Sequence, residues 1–471
     1  MVDALEEHEL AEMRKSTLRS MQKGVLHLNK EASEEIARDH FNQQEQDEGA
    51  MPVMDTEDLD ELCTITPFPD LVAQLYRKFG HTAPRISRAI IPLPGTTLKE
   101  LWTYAKTLLD NWEEATVLAR KNCLVALSGV INTIDSSSQQ HFTQCESIRR
   151  ECLMDEFCDV TPSQIQVYDR LLEVLGTRKR QSIQRLRRYC TRRSLELEEK
   201  DEEEEELTDE QERQMKEELK IVQIVELLCK EIETNEGIPK LSEQEVVCIW
   251  RGIARILFED EIVPRMGELG AEATRSNKSL VEALFGGALS NVRNRKVDLY
   301  LQIPLDGSQK WIGICTWEAK AIGVSPDTVQ TQLRKNIRIN AVLANALATY
   351  VDLSFPRASP VILDIEGPQA LAYLVRKVEP GVFGAGAVSE QSIALPERAA
   401  DIPHFLKSGC LSALLRIADH NLAFVQMVQK NARQGHLLRM HMKAAGGATS
   451  VGKEPSIIFT PTKKRTPKEA S

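Results

Sequence analysis

Two short apolar runs with a turn sequence between them constrain the fold of this chain more than any other feature. Residues 297–303 and 311–320 are rich in β-branched and aromatic side chains and alternate or run apolar, as sheet strands do. The residues between them, 305–309, contain an Asp-Gly pair, which is typical of a tight turn. The sequence therefore predicts a β-hairpin in the C-terminal half.

Three charged residues of this hairpin are candidates for a functional site. Asp298 lies early on the first predicted strand, and Glu318 and Lys320 lie late on the second. Side chains two positions apart on a strand share a face, so Glu318 and Lys320 point the same way, and a suitable register brings Asp298 beside them. Two carboxylates and an ammonium that converge in this way can hold a divalent metal and a phosphate oxygen together.

Helical patterns dominate the chain before the hairpin. A capping box at 97–100 predicts the start of a long amphipathic helix, and helical periodicity continues to about Ile134. Thr161 followed by Pro162 predicts another helix start, and a further capping box at 242–245 opens a third helix. After the hairpin we expect a helix over about 325–350, strands over 361–365, 370–378 and 382–395, and a helix over about 402–431.

This order of elements predicts an α+β or α/β protein with a mainly helical N-terminal half. The C-terminal domain should contain a central mixed sheet flanked by helices. We divide the chain at composition changes and at the Gly and Pro residues of 237–239. The predicted segments are a polar, poorly ordered 1–60, a helical region 61–235, an α/β domain 236–433 and a disordered basic tail 434–471.

A basic run followed by an acidic run is the second functional signal. Residues 178–193 contain several arginines and no acid, and residues 196–206 are mostly acidic. On a helix, Arg185, Arg188 and Arg192 form a stripe able to contact nucleic-acid phosphates. The neighbouring acidic run could instead fold back and neutralise the stripe. The sequence leaves both interpretations open, phosphate contact and internal neutralisation. The basic tail at 463–468 is either a nuclear localisation signal, a weak DNA contact or a solvated end.

Composition excludes some classes of protein and leaves others open. The N-terminus lacks the apolar region of a signal peptide, and no apolar run is long enough to span a membrane. We therefore expect a soluble intracellular protein, nuclear or cytoplasmic. The ten cysteines form no CxxC pair, which favours buried free thiols over a zinc site.

The order of helix, acidic hairpin, helix and strand resembles the restriction-endonuclease-like fold of the PD-(D/E)XK superfamily. Asp298 matches the first acid of that motif, and Glu318-Ala319-Lys320 matches the acid-x-lysine step 20 positions later. The helix over 332–340 is similar to the helix after the motif in a group of uncharacterised fungal proteins with this nuclease-like pattern. Those proteins also carry a Ser-Glu helix start and a Gly-Glu step, here at 242–243 and 267–268.

The resemblance implies metal-dependent hydrolysis of phosphodiester bonds in nucleic acid. Asp298 and Glu318 would then hold Mg²⁺ or Mn²⁺, and Lys320 would hold the attacking water or the developing negative charge. The remaining predicted site residues are Glu268, Gln332 and Asn336 as supporting groups and Arg185, Arg188, Arg192 and Lys335 as nucleic-acid contacts. Asn336 and Asn340, one helical turn apart, are explained equally well by helix packing. The alternative function is that of an inactive nuclease-derived domain retained for binding or as a scaffold.

Overall fold

The computed structural model describes most of the chain between residues 68 and 444. The described ranges are 68–78, 95–135, 141–176, 179–202, 207–235, 241–266, 273–274, 297–305, 311–348, 350–351 and 358–444. The expectations for residues 1–60, for Glu268 and for the basic tail at 463–468 fall outside these ranges.

Helices occupy much of the described chain. Their bounds are α1 (Phe68–Lys78), α2 (Thr96–Asp110), α3 (Val117–Leu127), α4 (Cys145–Cys152), α5 (Pro162–Leu175), α6 (Lys179–Glu202), α7 (Asp209–Thr234), α8 (Glu243–Phe258), α9 (Pro326–Leu347), α10 (Ile402–Lys407) and α11 (Cys410–Ala444). The strands are β1 (Val130–Asn132), β2 (Val263–Met266), β3 (Leu299–Pro304), β4 (Trp311–Lys320), β5 (Val361–Glu366), β6 (Gln369–Glu379), β7 (Val382–Ala387) and β8 (Ile393–Ala394).

The described strands form one mixed sheet, as the sequence predicts. Their order is β1-β7-β6-β5-β4-β3-β2, and β8 pairs with β6. The predicted hairpin is confirmed, because β3 and β4 pair antiparallel with Leu299 opposite Trp317. β4 pairs in parallel with β5, and α9 supplies the crossover that a parallel connection requires.

Helices cover both faces of β4, which places its charged end inside the molecule. On one face, Thr316 bonds to side chains of α9. On the other face, the Trp317 ring packs against Phe258 of α8 with ring centroids 5.9 Å apart. Trp317 and Phe258 are both fully buried. Alternating side chains of β4 therefore enter two different helix–sheet layers.

A strand from the N-terminal half completes the sheet. β1 pairs in parallel with β7, with Val130 opposite Phe383. The predicted helical periodicity to Ile134 is wrong here, because α3 ends at Leu127 and Gly129 turns the chain with a φ of +68°. By their contacts, the described residues from 68 onward belong to one compact unit. The domain boundary near residue 235 stays a prediction.

Helix starts follow the predicted capping chemistry at two positions and depart from it at a third. Thr161 and Ser242 each form a full capping box. α2 instead begins after Gly95, and the Thr97 hydroxyl donates to Glu379 Oε2 at 3.0 Å rather than capping the helix. The local pattern predicts that the Thr97 hydroxyl caps the helix, but this hydroxyl bonds to a side chain of β6 instead.

The last predicted helix is divided in two. α10 ends at Lys407, and α11 starts at Cys410 after Gly409, whose φ is +81°. α11 also continues to Ala444, past the predicted start of the disordered tail at residue 434. Across the described ranges, no helix has the length and apolar content that crossing a bilayer demands.

Candidate active site at strands β4 and β5

Glu318 is a carboxylate enclosed by the protein. It lies near the C-terminal end of β4 and is 1% exposed. Its Oε2 accepts a bond from the Lys335 ammonium of α9 at 2.8 Å, and its Oε1 is buried without a hydrogen-bond partner among the described residues. A buried acceptor left without a partner is rare, and an ion or water that is not part of the coordinates is one of the ordinary explanations.

The charge state of Glu318 follows from its surroundings. Burial raises the pKa of Glu318 to about 7 because the ionised form is poorly solvated. The Lys335 ammonium opposes this shift, and the carboxylates of Asp298 and Asp364 add to it. Glu318 therefore lies among like charges with one close ammonium beside it.

Asp364 is the residue directly across the sheet from Glu318. The two are register partners in the parallel pair β4–β5, so their side chains leave the sheet on the same face. Asp364 Oδ1 accepts a bond from Gln332 Nε2 of α9 at 3.1 Å, and Oδ2 is buried without a bond of ordinary geometry to any described residue. Burial raises the pKa of Asp364 to about 7, and Gln332, Asn336, Lys335 and Tyr373 lie close enough to lower it.

Asp298 lies on the other side of β4, next to β3. It immediately precedes β3, where Leu299 pairs with Trp317, so extending the register by one residue sets Asp298 beside Glu318. Its Oδ2 accepts the backbone N–H of Ala319 at 2.9 Å. One carboxylate oxygen of Asp298 therefore holds the end of β4 in place.

Lys320 is the third predicted residue of the hairpin, and its ammonium faces a helix start. Its Nζ lies 2.9 Å from Glu243 Oε2 and 3.0 Å from the backbone carbonyl of Ala319. Glu243 is the first residue of α8, next to the cap Ser242. The side chain of Lys320 is 24% exposed. It therefore retains contact with solvent while it is held by one acid.

Asn336 and Asn340 bind the middle of β4 to α9. Asn340 Oδ1 accepts the backbone N–H of Thr316 at 2.9 Å, and the Thr316 hydroxyl donates to Asn336 Oδ1 at 2.7 Å. Asn336 Nδ2 also donates to the Leu363 carbonyl of β5 at 3.3 Å. Both amides are buried, so this network fixes α9 over β4 and β5. Gln332 and Lys335, on the same helix, are thereby held over Asp364 and Glu318.

The predicted arginine stripe lies on α6, where the arginines divide between two faces. Arg187 and Arg193 pair with Glu233 and Glu218 of α7. Arg185 and Arg188 make no ion pair with any described residue. Among the described residues, Arg192 pairs within its own helix, with Glu196 at 3.6 Å. Together with Val174, Gln184 and Tyr189, the arginines at 185, 188 and 192 line a depression of about 500 Å³.

The structure brings part of the predicted site together and adds residues that sequence reasoning missed. Asp298, Glu318, Gln332 and Asn336 gather around the end of β4, and Lys320 lies beyond them against α8. Lys335, predicted as a nucleic-acid contact, is an ion-pair partner of Glu318 with a side chain 36% exposed. Asp364 was missed, although an acid inside the apolar run 361–365 is a signal that could have found it.

The donor set is compatible with a hard divalent cation that has few protein ligands and takes its other ligands from water molecules. In the described part of the chain, no group of three or more His, Cys, Asp or Glu side chains could hold a metal ion. Mg²⁺ is usually bound by one or two carboxylates, with waters and substrate phosphates as its other ligands, so a larger group is not required. The unpartnered Glu318 Oε1 is a suitable atom for such a contact. The nine cysteines of the described ranges are all free, as expected.

Comparison with known proteins identifies no relative for this chain. No protein-family model matches the sequence. No curated protein matches it, and no solved structure matches its fold.

Proposed function

We propose that this chain hydrolyses phosphodiester bonds in nucleic acid with the help of Mg²⁺ or Mn²⁺. The single observation that carries the proposal is the buried Glu318, which retains an unpartnered oxygen in a cluster with Asp298, Asp364 and Lys335. Burying a carboxylate is costly unless it is compensated, and such residues concentrate at functional sites. The resemblance of Asp298 and Glu318-Ala319-Lys320 to the nuclease motif adds the reaction class.

The order of elements supports a restriction-endonuclease-like arrangement for this part of the fold. α8, the antiparallel strands β2, β3 and β4, the helix α9 and the parallel strand β5 follow one another in the order that the resemblance implies. β2 precedes the strand next to the first acid and pairs with it, which is compatible with the proposal. The C-terminal ends of β4 and β5 then bring their acids to one place in the sheet.

The proposal assigns a role to each of these residues. A bound cation would supply Lewis-acid activation of the phosphate and of the attacking water. Glu318 and Asp298 provide the carboxylates on the two paired strands, and Lys320 provides a positive charge for the attacking water or for the charge that develops on phosphate. Glu243 orients Lys320, and Asn336 holds α9 against β4.

The arginines at 185, 188 and 192 are the proposed contacts to the phosphate backbone. Two of them are not neutralised by described acids, and Tyr189 beside them offers an aromatic ring for base stacking. Arg187 and Arg193 are excluded from this role because they pair with α7.

A second function is favoured by the ion pair between Lys335 and Glu318. The ammonium lies 2.8 Å from Glu318 Oε2, so it can neutralise this carboxylate without a metal. In that case the chain is an inactive nuclease-derived protein that binds nucleic acid or serves as a scaffold. The two functions differ in whether a divalent cation changes what the protein does.

A cleavage assay separates these functions. Purified full-length chain is incubated with single-stranded and double-stranded DNA and RNA in Mg²⁺, in Mn²⁺ and in chelator. We expect metal-dependent cleavage, and a loss of about 100-fold or more in the rate for Glu318→Gln and for Lys320→Met. The matched controls are Glu390→Gln and Lys407→Met, which remove the same charges from exposed positions away from the cluster.

Two results would contradict the enzymatic proposal. Wild-type protein that cleaves no substrate in either metal leaves the scaffold function. Equal cleavage by wild type, Glu318→Gln and Lys320→Met shows that the activity comes from another site or from a contaminant.

A further inference from the structure

We propose that the divalent cation binds on the β5 side of Glu318, between Glu318 and Asp364, and that Gln332 is the positioning residue for Asp364. This inference rests on the proposed function for the presence of a cation. It assigns a ligand that the nuclease motif does not contain. Asp298, the first acid of the motif, then acts by holding β4 rather than by binding the cation.

The position of Glu318 in the sheet leaves two places for a cation. β4 lies between β3 and β5, so Glu318 has Asp298 on one side and Asp364 on the other. No described group of three or more His, Cys, Asp or Glu side chains could hold a metal ion, so we consider each of these two acids in turn as the single partner of Glu318. The hydrogen bonds of the two acids indicate which one it is.

On the β3 side, one oxygen of Asp298 already accepts a hydrogen bond. Asp298 Oδ2 accepts the Ala319 N–H at 2.9 Å. A backbone N–H at a strand end needs an acceptor, so only Oδ1 of this carboxylate could turn to a cation. Unlike Asp364 Oδ2, Asp298 Oδ1 is not a buried oxygen without a hydrogen-bond partner. Asp298 is therefore less available to a cation than Asp364 is.

The β5 side contains unsatisfied acceptors. Three buried oxygens there have no hydrogen bond of ordinary geometry to a described residue: Glu318 Oε1, Asp364 Oδ2 and Gln332 Oε1. The Tyr373 hydroxyl is a described donor beside Asp364. When both acids are ionised, carboxylates and amide carbonyls only accept hydrogen bonds, so these three oxygens cannot satisfy one another. A hard cation satisfies this kind of donor set. Glu318 is 1% exposed and Gln332 is 6% exposed, so bulk water is a poor substitute.

Gln332 connects this pair of acids to the rigid part of the site. Its Nε2 donates to Asp364 Oδ1 at 3.1 Å, which leaves Oδ2 as the free oxygen of that carboxylate. Gln332 lies on α9 one turn before Asn336, and the bonds of Asn336 to Thr316 and to the Leu363 carbonyl hold the helix over both strands. Partners that orient a metal ligand in this way commonly matter for affinity as much as for geometry.

Direct measurement of Mn²⁺ binding tests the inference without nucleic acid. Metal-free full-length protein is titrated with Mn²⁺, and free Mn²⁺ is followed by electron paramagnetic resonance. We expect Asp364→Asn to weaken binding at least about tenfold and Gln332→Leu to weaken it about tenfold, the effect typical of lost supporting partners. Asp298→Asn removes a nearby charge but no ligand of the inferred site, so it should weaken binding less than Asp364→Asn does. The exposed Asp327→Asn, at the start of α9, is the control for losing one negative charge.

The outcomes separate this inference from the proposed nuclease activity. Weakened binding in Asp298→Asn but not in Asp364→Asn places the cation on the β3 side and overturns the inference. Wild-type protein that binds no Mn²⁺, or unchanged affinity in both Asp364→Asn and Gln332→Leu, overturns it as well. Mn²⁺ binding that depends on Asp364 in a protein that cleaves nothing supports the site and removes the nuclease function. Thermal unfolding of each variant identifies any loss that comes from misfolding.

Discussion

At the scale of single residues, Glu318 is a buried group whose ionisation opposes folding. Its carboxylate is buried at 1% exposure, and the ammonium of Lys335 compensates only one of its oxygens. Burial raises its pKa from 4.5 to about 7, so between these values the folded state binds a proton that the unfolded state has released. The contribution of Glu318 to the free energy of unfolding therefore decreases as pH rises through this window.

The raised pKa of Glu318 predicts how the stability of the metal-free protein changes with pH. The free energy of unfolding of Glu318→Gln should depend less on pH between about 4.5 and about 7 than that of wild type, with a difference of about 3 kcal/mol across the window. Urea denaturation in chelator at a series of pH values measures this. Glu390→Gln, whose side chain is 80% exposed, should follow wild type. Parallel curves for wild type and Glu318→Gln would mean that the carboxylate is not desolvated in solution.

At the scale of elements, α6 uses one set of arginines for packing and leaves another set exposed. Arg187 and Arg193 face α7, where their glutamate partners lie, and they join the two helices into an antiparallel pair. Arg185, Arg188 and Arg192 face away and line the depression next to α5. Glu196, from the acidic run, contacts Arg192 and Arg193 but leaves Arg185 and Arg188 unpaired among the described residues.

This division predicts different effects for arginines of the same helix. Replacing Arg185, Arg188 and Arg192 with Ala should weaken nucleic-acid binding and reduce the slope of log affinity against log salt by about 0.9 for each lost duplex contact. Fluorescence anisotropy at several salt concentrations measures the slope. Arg187→Ala, on the same helix, is the matched control and should keep the wild-type slope. An unchanged slope in the triple variant would exclude the exposed stripe as a phosphate contact.

At the scale of the whole molecule, α9 ties the candidate site to the N-terminal half. Arg334, next to Lys335, is fully buried and pairs with Asp135, which follows β1. Its Nε also bonds to Asn122 of α3, and Nη1 donates to the Gln330 carbonyl at 2.9 Å. The helix that supplies Gln332 and Lys335 to the site is thus anchored to residues more than 190 positions earlier in the chain.

The dependence on the N-terminal half can be tested by truncation. A chain that begins at residue 236 lacks β1, Asn122 and Asp135, so it exposes the edge of β7 and leaves a buried guanidinium without its acid. Breaking a buried ion pair costs about 3–5 kcal/mol, which is a large part of the about 5–15 kcal/mol that stabilises a domain. We expect this fragment not to fold cooperatively, as measured by near-ultraviolet circular dichroism and urea unfolding. A chain that begins at residue 67 should fold, and cooperative unfolding of the shorter fragment would contradict the prediction.

Elements that depend on neighbouring residues could be predicted from the sequence, whereas contacts between distant residues could not. The hairpin, β5, α8 and α9 were predicted because their alternation, turn residues and caps act over a few neighbouring positions. β1 was missed because three residues carry too little pattern, and their pairing with β7 joins positions about 250 residues apart. Thr97 follows the capping pattern but bonds to Glu379 on β6, which no local rule can anticipate.

The candidate site shows the same division between local pattern and tertiary structure. The strand pattern predicted that Glu318 and Lys320 share a face, because the period of a strand is two residues. Three contacts follow from the packing of distant elements: Asp364 lies across from Glu318, Lys335 neutralises one oxygen of Glu318, and Lys320 turns to Glu243. Strand periodicity is a property of the local backbone, whereas the neighbours of a buried charge are set by how distant strands and helices pack around it.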